Sequence, residues 1–155
     1  MASPRLLHGR QSQVGLWYVI TTVSLGRIPV FASAQAAQLV AEEIRRVPQN
    51  FAESHAWVVM PDHLHWMIEL RSGIDLSRLV QGLKSRSAIA VNRSRGQSGP
   101  IWQPGFYDHQ LRADEDFRAQ ARYIVANPLR RGLVARIEDY PHLWCRWIAG
   151  MADLD

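Results

Sequence analysis

The chain has 155 residues, 47% of them apolar and 21% charged, a balance that fits one globular domain with a sizeable core and excludes a disordered or low-complexity chain. No apolar run reaches the roughly 18 residues of a membrane span, the N-terminus lacks a signal-type pattern, and a lone cysteine, Cys145, excludes both a disulfide framework and a thiolate zinc cluster. The net charge is +4, and all but Lys84 of the 18 lysines and arginines are arginine, whose planar fork suits phosphate, so a polyanionic partner is favoured.

After a polar lead-in over residues 1–15, the β-branched and aromatic run LWYVITTVSL at 16–25 predicts a first strand, closed by Gly26 and Pro29. Ala37, Val40, Ala41, Ile44 and Val47 recur at helical spacing between a Ser33 cap and the stop at Pro48. Two apolar-rich runs, 55–60 and 63–70, separated only by Pro61 and Asp62, predict an antiparallel hairpin. Asp75 then caps a helix carrying Leu76, Leu79, Val80 and Leu83, expected to run to about Asn92 and to give way to a flexible basic loop over 93–100. A short strand falls within 102–112, and a last helix, capped by Asp114, is expected to stop where Pro128 follows Asn127.

The order β-α-β-β-α-β-α contains the split βαβ arrangement of ferredoxin-like α+β folds, in which helices cover one face of an antiparallel sheet and leave the other available. The whole chain, 1–155, reads as one domain, with 133–155 as a C-terminal tail whose aromatics pack back on it.

His63 and His65 flank Leu64 at the start of the second hairpin arm, and strand alternation puts both imidazoles on one face while Leu64, Trp66, Ile68 and Leu70 take the other. Two neutral imidazoles so placed can share a metal ion. On the last helix Phe117, Ala121, Ile124 and Val125 form one side, and Asp116, Gln120, Tyr123 and Asn127 another. Asn127, one turn on from Tyr123, offers an amide oxygen as a third ligand, so a phenol and a metal ligand share a helix face. Such a set suits phosphoryl transfer to tyrosine.

Other residues keep open readings. Tyr107 is a rival nucleophile, although a packing role is commoner for its setting; Asp62 is a further ligand candidate or a turn residue. Lys84, Arg86, Arg93 and Arg95 on one segment, and Arg122, Arg130 and Arg131 around the tyrosine, are candidate phosphate contacts. Trp102, Phe106, Trp144 and Trp147 either stack unpaired bases or pack in the core, and His55 and His109 are silent.

The set MPDHLHW at 60–66, WQPGFYDHQLR at 102–112 and ARYIVANPLRRGLV at 121–134 closely resembles the REP-associated tyrosine transposases, relatives of IS200/IS605-type single-tyrosine transposases in the HUH endonuclease superfamily. The resemblance implies a ferredoxin-like HUH fold that binds single-stranded or hairpin DNA of repetitive extragenic palindromes and nicks it with Mg²⁺ or Mn²⁺, leaving a 5′-phosphotyrosine; the expected location is cytoplasmic, in association with the nucleoid. It makes His63 and His65 the metal pair and Tyr123 the nucleophile, and it places Asn127, one methylene shorter, where relatives carry a glutamine ligand. One tyrosine gives one covalent end per site, so coupled exchange takes a homodimer or sequential turns by a monomer. A repeat-bound module that does not cleave is the competing reading. An RRM-type RNA binder is disfavoured, because the sheet face carries His63, His65, Met67 and Glu69 in place of stacking aromatics, and a simple metal hydrolase leaves the Tyr123–Asn127 register unexplained.

Overall fold

The computed structural model describes residues 14–112 and 115–148. The first seven elements follow the expected order: β1 (Trp17–Val23), α1 (Ala34–Arg46), β2 (Ala52–Met60), β3 (His63–Leu70), α2 (Leu76–Arg95), β4 (Tyr107–Gln110) and α3 (Phe117–Val125); beyond them the structure adds a short α4 (Asn127–Arg130) and a tail strand β5 (Leu143–Cys145) that the order did not contain. All pairings are antiparallel in one sheet of order β4-β1-β3-β2-β5. The tail therefore packs back as a sheet edge, and the Tyr140 hydroxyl donates to the Val59 carbonyl at 2.7 Å.

Local chemistry accounts for the element boundaries. Ser33 accepts from the Ala36 N–H and Asp75 from the Ser77 N–H, each satisfying an orphan donor of a first helical turn. The expected basic loop begins later than the sequence suggests, because α2 runs through Arg93 and Arg95 to a left-handed C-cap at Gly96, φ 61°. Asp114 lies outside the described residues; the cap of α3 is Asp116, which accepts from the N–H groups of Arg118 and Ala119. Pro128 does not end the helix either. The chain bends at Ala126 and continues as α4, where Pro128 occupies the first turn and needs no N–H partner.

Alternation splits the sheet into two faces. Tyr18, Ile20, Trp57, Val59, Leu64, Trp66, Ile68 and Leu70 bury one face against α1 and α2. The other was expected to stand open. Instead Ala121, Ile124 and Val125 of α3 close over Ala56, Val58, Met60 and Met67, with Leu143 and Cys145 from the tail. The apolar stripe of α3 needs a partner surface, and Met67 and the alternate residues of β2 supply it. The histidine pair thus lies at the edge of a second small core.

Candidate nucleic-acid processing site

The Pro61-Asp62 turn joins β2 to β3 with Met60 opposite His63, so the histidine pair begins immediately after a tight hairpin. That turn is pinned by neighbouring loops: the Phe31 N–H donates to the Pro61 carbonyl and the Ser24 N–H to the Asp62 carbonyl, both at 2.9 Å. Rigid backbone fixes where the two imidazoles project.

Both rings are oriented through their inner nitrogen. His63 Nδ1 lies 2.7 Å from Asp62 Oδ1, and His65 Nδ1 lies 2.8 Å from Thr21 Oγ1 across the β1–β3 ladder. The ring centroids are 4.7 Å apart at 76°. Nδ1 partners of this kind fix ring orientation and present Nε2 for coordination. On the third side the Asn127 amide is buried, its Nδ2 3.4 Å from His63 Nε2. One half-turn of the amide puts Oδ1 in the same place. Two imidazoles and an amide oxygen suit Mn²⁺ best, and Mg²⁺ only with phosphate and water oxygens completing its six ligands. Burial holds both histidines below their usual range, His65 down to about 4, with the neighbouring His63, Arg130 and Arg131 adding to the effect. At neutral pH the pair is therefore uncharged and its lone pairs are free.

Tyr123 is 63% exposed although it sits between buried Ala121 and buried Ile124. The Arg130 guanidinium lies 3.8 Å from its ring centroid, and Arg130 Nη1 donates to the Tyr123 carbonyl at 2.6 Å. Tyr107, the rival phenol, also shares the histidine face: it pairs with Thr21 on β1, and Thr21 pairs with His65 on β3.

The remaining sequence candidates separate. Asp62 is engaged by His63 and by Arg27, 3.3 Å away, which holds its carboxyl below the usual range, so it orients an imidazole from behind. Lys84 was expected to meet phosphate, but it is buried, its Nζ donating to the carbonyls of Gln103 and Gly105 at 2.8 and 2.7 Å. Burial pushes its ammonium down to about 8. Arg86 reaches Glu43 on α1 at 3.4 Å, and Arg93 and Arg95 are exposed in the last turn of α2, all three on a helix packed against the other face of the sheet. Arg122 Nη2 meets the Trp147 carbonyl at 3.4 Å. Arg130 and Arg131 stand near the imidazoles, whose protonation they oppose. Trp102, Phe106 and Trp144 are core residues; the Trp102 indole N–H donates to Ser87.

Sequence reasoning missed Thr21 and Arg27. Thr21 is one of several β-branched residues in β1, and only the register singles it out. Arg27 adopts φ 54° beside Gly26 at φ 64°, a left-handed pair uncommon for an arginine, and its only sequence signal was the Gly-Arg step after the strand.

An antiparallel ferredoxin-like sheet with an oriented imidazole pair at one end and a phenol-bearing helix beside it defines the class. The profile described as "Transposase IS200 like" matches residues 12–127, and the chain belongs to that family. A REP-associated tyrosine transposase of Escherichia coli K12 is 34% identical over 90 residues, covering 57% of this chain and 52% of its own length. A Haemophilus influenzae Rd relative is 28% identical over 100 residues, 58% of this chain and 57% of its own. The chain spans little more than half the length of these curated relatives. A solved REP-associated tyrosine transposase bound to a REP hairpin superimposes with a TM-score of 0.69 at 26% identity, over 92% of this chain and 82% of that one. Among the described residues no helix is long and apolar enough to cross a membrane.

Proposed function

We propose that the protein is a metal-dependent tyrosine DNA endonuclease and strand transferase that binds and nicks single-stranded or hairpin DNA of repetitive extragenic palindromes. The observation that carries this is the buried Asn127 amide against His63 Nε2, because it ties the helical segment bearing Tyr123 to a histidine pair whose inner nitrogens are already engaged. The named partner of the structural relative, a REP hairpin, supports the substrate class.

His63, His65 and Asn127 would hold a Mg²⁺ or Mn²⁺ ion, which when bound supplies Lewis-acid polarisation of the scissile phosphate. Asp62 and Thr21 aim the two imidazoles through their Nδ1 atoms, while burial keeps the rings neutral. Arg27, Arg130 and Arg131 supply positive charge for the backbone phosphates, with Arg122 alongside and Arg93 and Arg95 available to a longer strand. The Tyr123 oxygen forms a bond to phosphorus, the bond from phosphorus to the 3′ oxygen breaks, the phenol proton passes to solvent and the 3′ oxygen takes one up. One ester replaces another, so a 3′-hydroxyl can reverse the step and rejoin or transfer strands. One nucleophilic tyrosine per chain is compatible with a monomer or a homodimer.

A denaturing gel tests the reading: end-labelled REP hairpin and single strand with Mg²⁺ or Mn²⁺, incubated with wild type, Tyr123→Phe and a His63→Ala, His65→Ala double variant. A denaturant-resistant adduct in wild type alone is the expected result. Intact hairpin binding by all three, with no adduct and no nick, would overturn catalysis in favour of a non-cleaving DNA-binding module.

A further inference from the structure

The histidine-bearing face has a second polar cluster at its other end. Along β3 it runs His63, His65, Met67, Glu69, so Glu69 lies four residues beyond His65, roughly 13 Å at strand rise. Glu53 on β2 faces Glu69 directly across the ladder, an arrangement in which like charges repel. Between Ser54, paired with Ile68, and Ala56, paired with Met67, the register slips, leaving His55 as the extra residue of a bulge, a device that re-aims a side chain.

His55 is only 4% exposed, and among the described residues neither ring nitrogen has a hydrogen-bond partner. Trp17 stacks on the ring at 3.9 Å and 11°, and Trp147 lies parallel to it at 5.7 Å. The ring is thus held with Nε2 3.5 Å from Glu69 Oε1, and one donor atom each from Glu53, His55 and Glu69 fall within 4.8 Å of one another. Arg146 from the tail meets Glu53, and Arg71, 43% exposed, meets both carboxylates, Glu69 at 3.2 Å.

We propose that Glu53, His55 and Glu69 form a second cation site, separate from the His63–His65 pair, that takes one zinc-class divalent ion in competition with Arg71. One imidazole and two carboxylates suit Zn²⁺, whereas Mg²⁺ and Ca²⁺ prefer oxygen-only sets of six or more ligands. A buried imidazole nitrogen without a hydrogen bond is costly, and a bound ion would satisfy one of the two in His55. Burial, helped by Arg146, holds His55 neutral down to about pH 4, so its lone pair is free under physiological conditions. Arg71 is the displaceable cation: its exposed ion pairs are weak, and its side chain can move into solvent. The ion would tie β2 to β3 where the ladder is broken by the bulge, giving this end of the sheet a metal-dependent clamp.

The test uses metal-stripped protein carrying His63→Ala and His65→Ala, so that the other site cannot bind, and equilibrium dialysis against Zn²⁺ followed by metal analysis. Close to one ion per chain is expected, with a rise in Tm that Mg²⁺ does not give. Added Glu53→Gln or Glu69→Gln weakens binding by at least about 10-fold, and Arg71→Gln tightens it. Co²⁺ in place of Zn²⁺ shows visible absorption of a four- or five-coordinate site, lost with Glu69→Gln. No retained ion in the double variant, or an ion whose affinity ignores Glu53→Gln and Glu69→Gln, overturns the proposal.

Discussion

Asn127 and His63, 64 positions apart in sequence, meet at 3.4 Å between Nδ2 and Nε2, the point where the helical segment carrying Tyr123 is fastened to the sheet. Asn127 is buried while Tyr123, four residues earlier, is largely exposed. The fastening and the candidate chemistry therefore separate along one stretch of chain.

If Asn127 is a ligand, Asn127→Ala weakens Mn²⁺ binding and Asp62→Asn weakens it by about 10–100-fold, the effect typical of an outer partner that orients a ligating histidine. Calorimetric titration of Mn²⁺ into each variant checks this. Unchanged affinity in both would remove Asn127 and Asp62 from the metal's surroundings.

Tyr107 and Tyr123 are the two candidate nucleophiles, and they separate cleanly by substitution. Tyr123→Phe abolishes the covalent DNA adduct, and Tyr107→Phe leaves it. The reverse pattern would move the nucleophile from the helix to β4, where Tyr107 is linked to His65 through Thr21.

Arg130 clamps the tyrosine by stacking on its ring and donating to its carbonyl. An exposed cation–π contact contributes about 0.5–1 kcal/mol, so Arg130→Ala slows adduct formation by up to about fivefold through loss of ring positioning. Single-turnover rates at saturating DNA isolate this from phosphate binding. A rate equal to wild type at saturation would reduce Arg130 to a backbone contact.

Lys84→Met leaves the Gln103 and Gly105 carbonyls without their donor in a buried setting, at a cost of about 1–3 kcal/mol for an unsatisfied group. Urea unfolding reads the loss, and the salt dependence of DNA binding stays as in wild type because the side chain faces inward. A shallower salt slope with unchanged stability would return Lys84 to the phosphate contacts.

Acid destabilises this fold through its histidines. His65 and His55 take up their protons near 4 when folded and near 6.5 in the open chain. Between those values the unfolded chain binds protons that the folded chain refuses, so their contribution is complete above 6.5 and is lost as pH falls toward 4. Scanning calorimetry between pH 7.5 and 4.5 is expected to show Tm falling from about pH 6.5 downward, less steeply in a His55→Asn variant. A flat profile would contradict the burial of both rings.

The sequence by itself determined the element order, the two-residue hairpin, the common face of His63 and His65 and the two-sided pattern of the last helix. These are short-range properties, set by alternation, helical period and turn chemistry within a few residues. Pro128 and Arg93 show the reach of that logic: a proline reads as a stop until a bend at Ala126 makes it a first-turn residue, and a basic stretch reads as a loop until Gly96 supplies a later cap. Strand register, decided between distant segments, chose Thr21 as the partner of His65 and set Glu53 against Glu69. Packing chose the rest. The stripe of α3 closed the face expected to be open, and Lys84, alike in sequence to any surface cation, found two carbonyls within reach and turned inward.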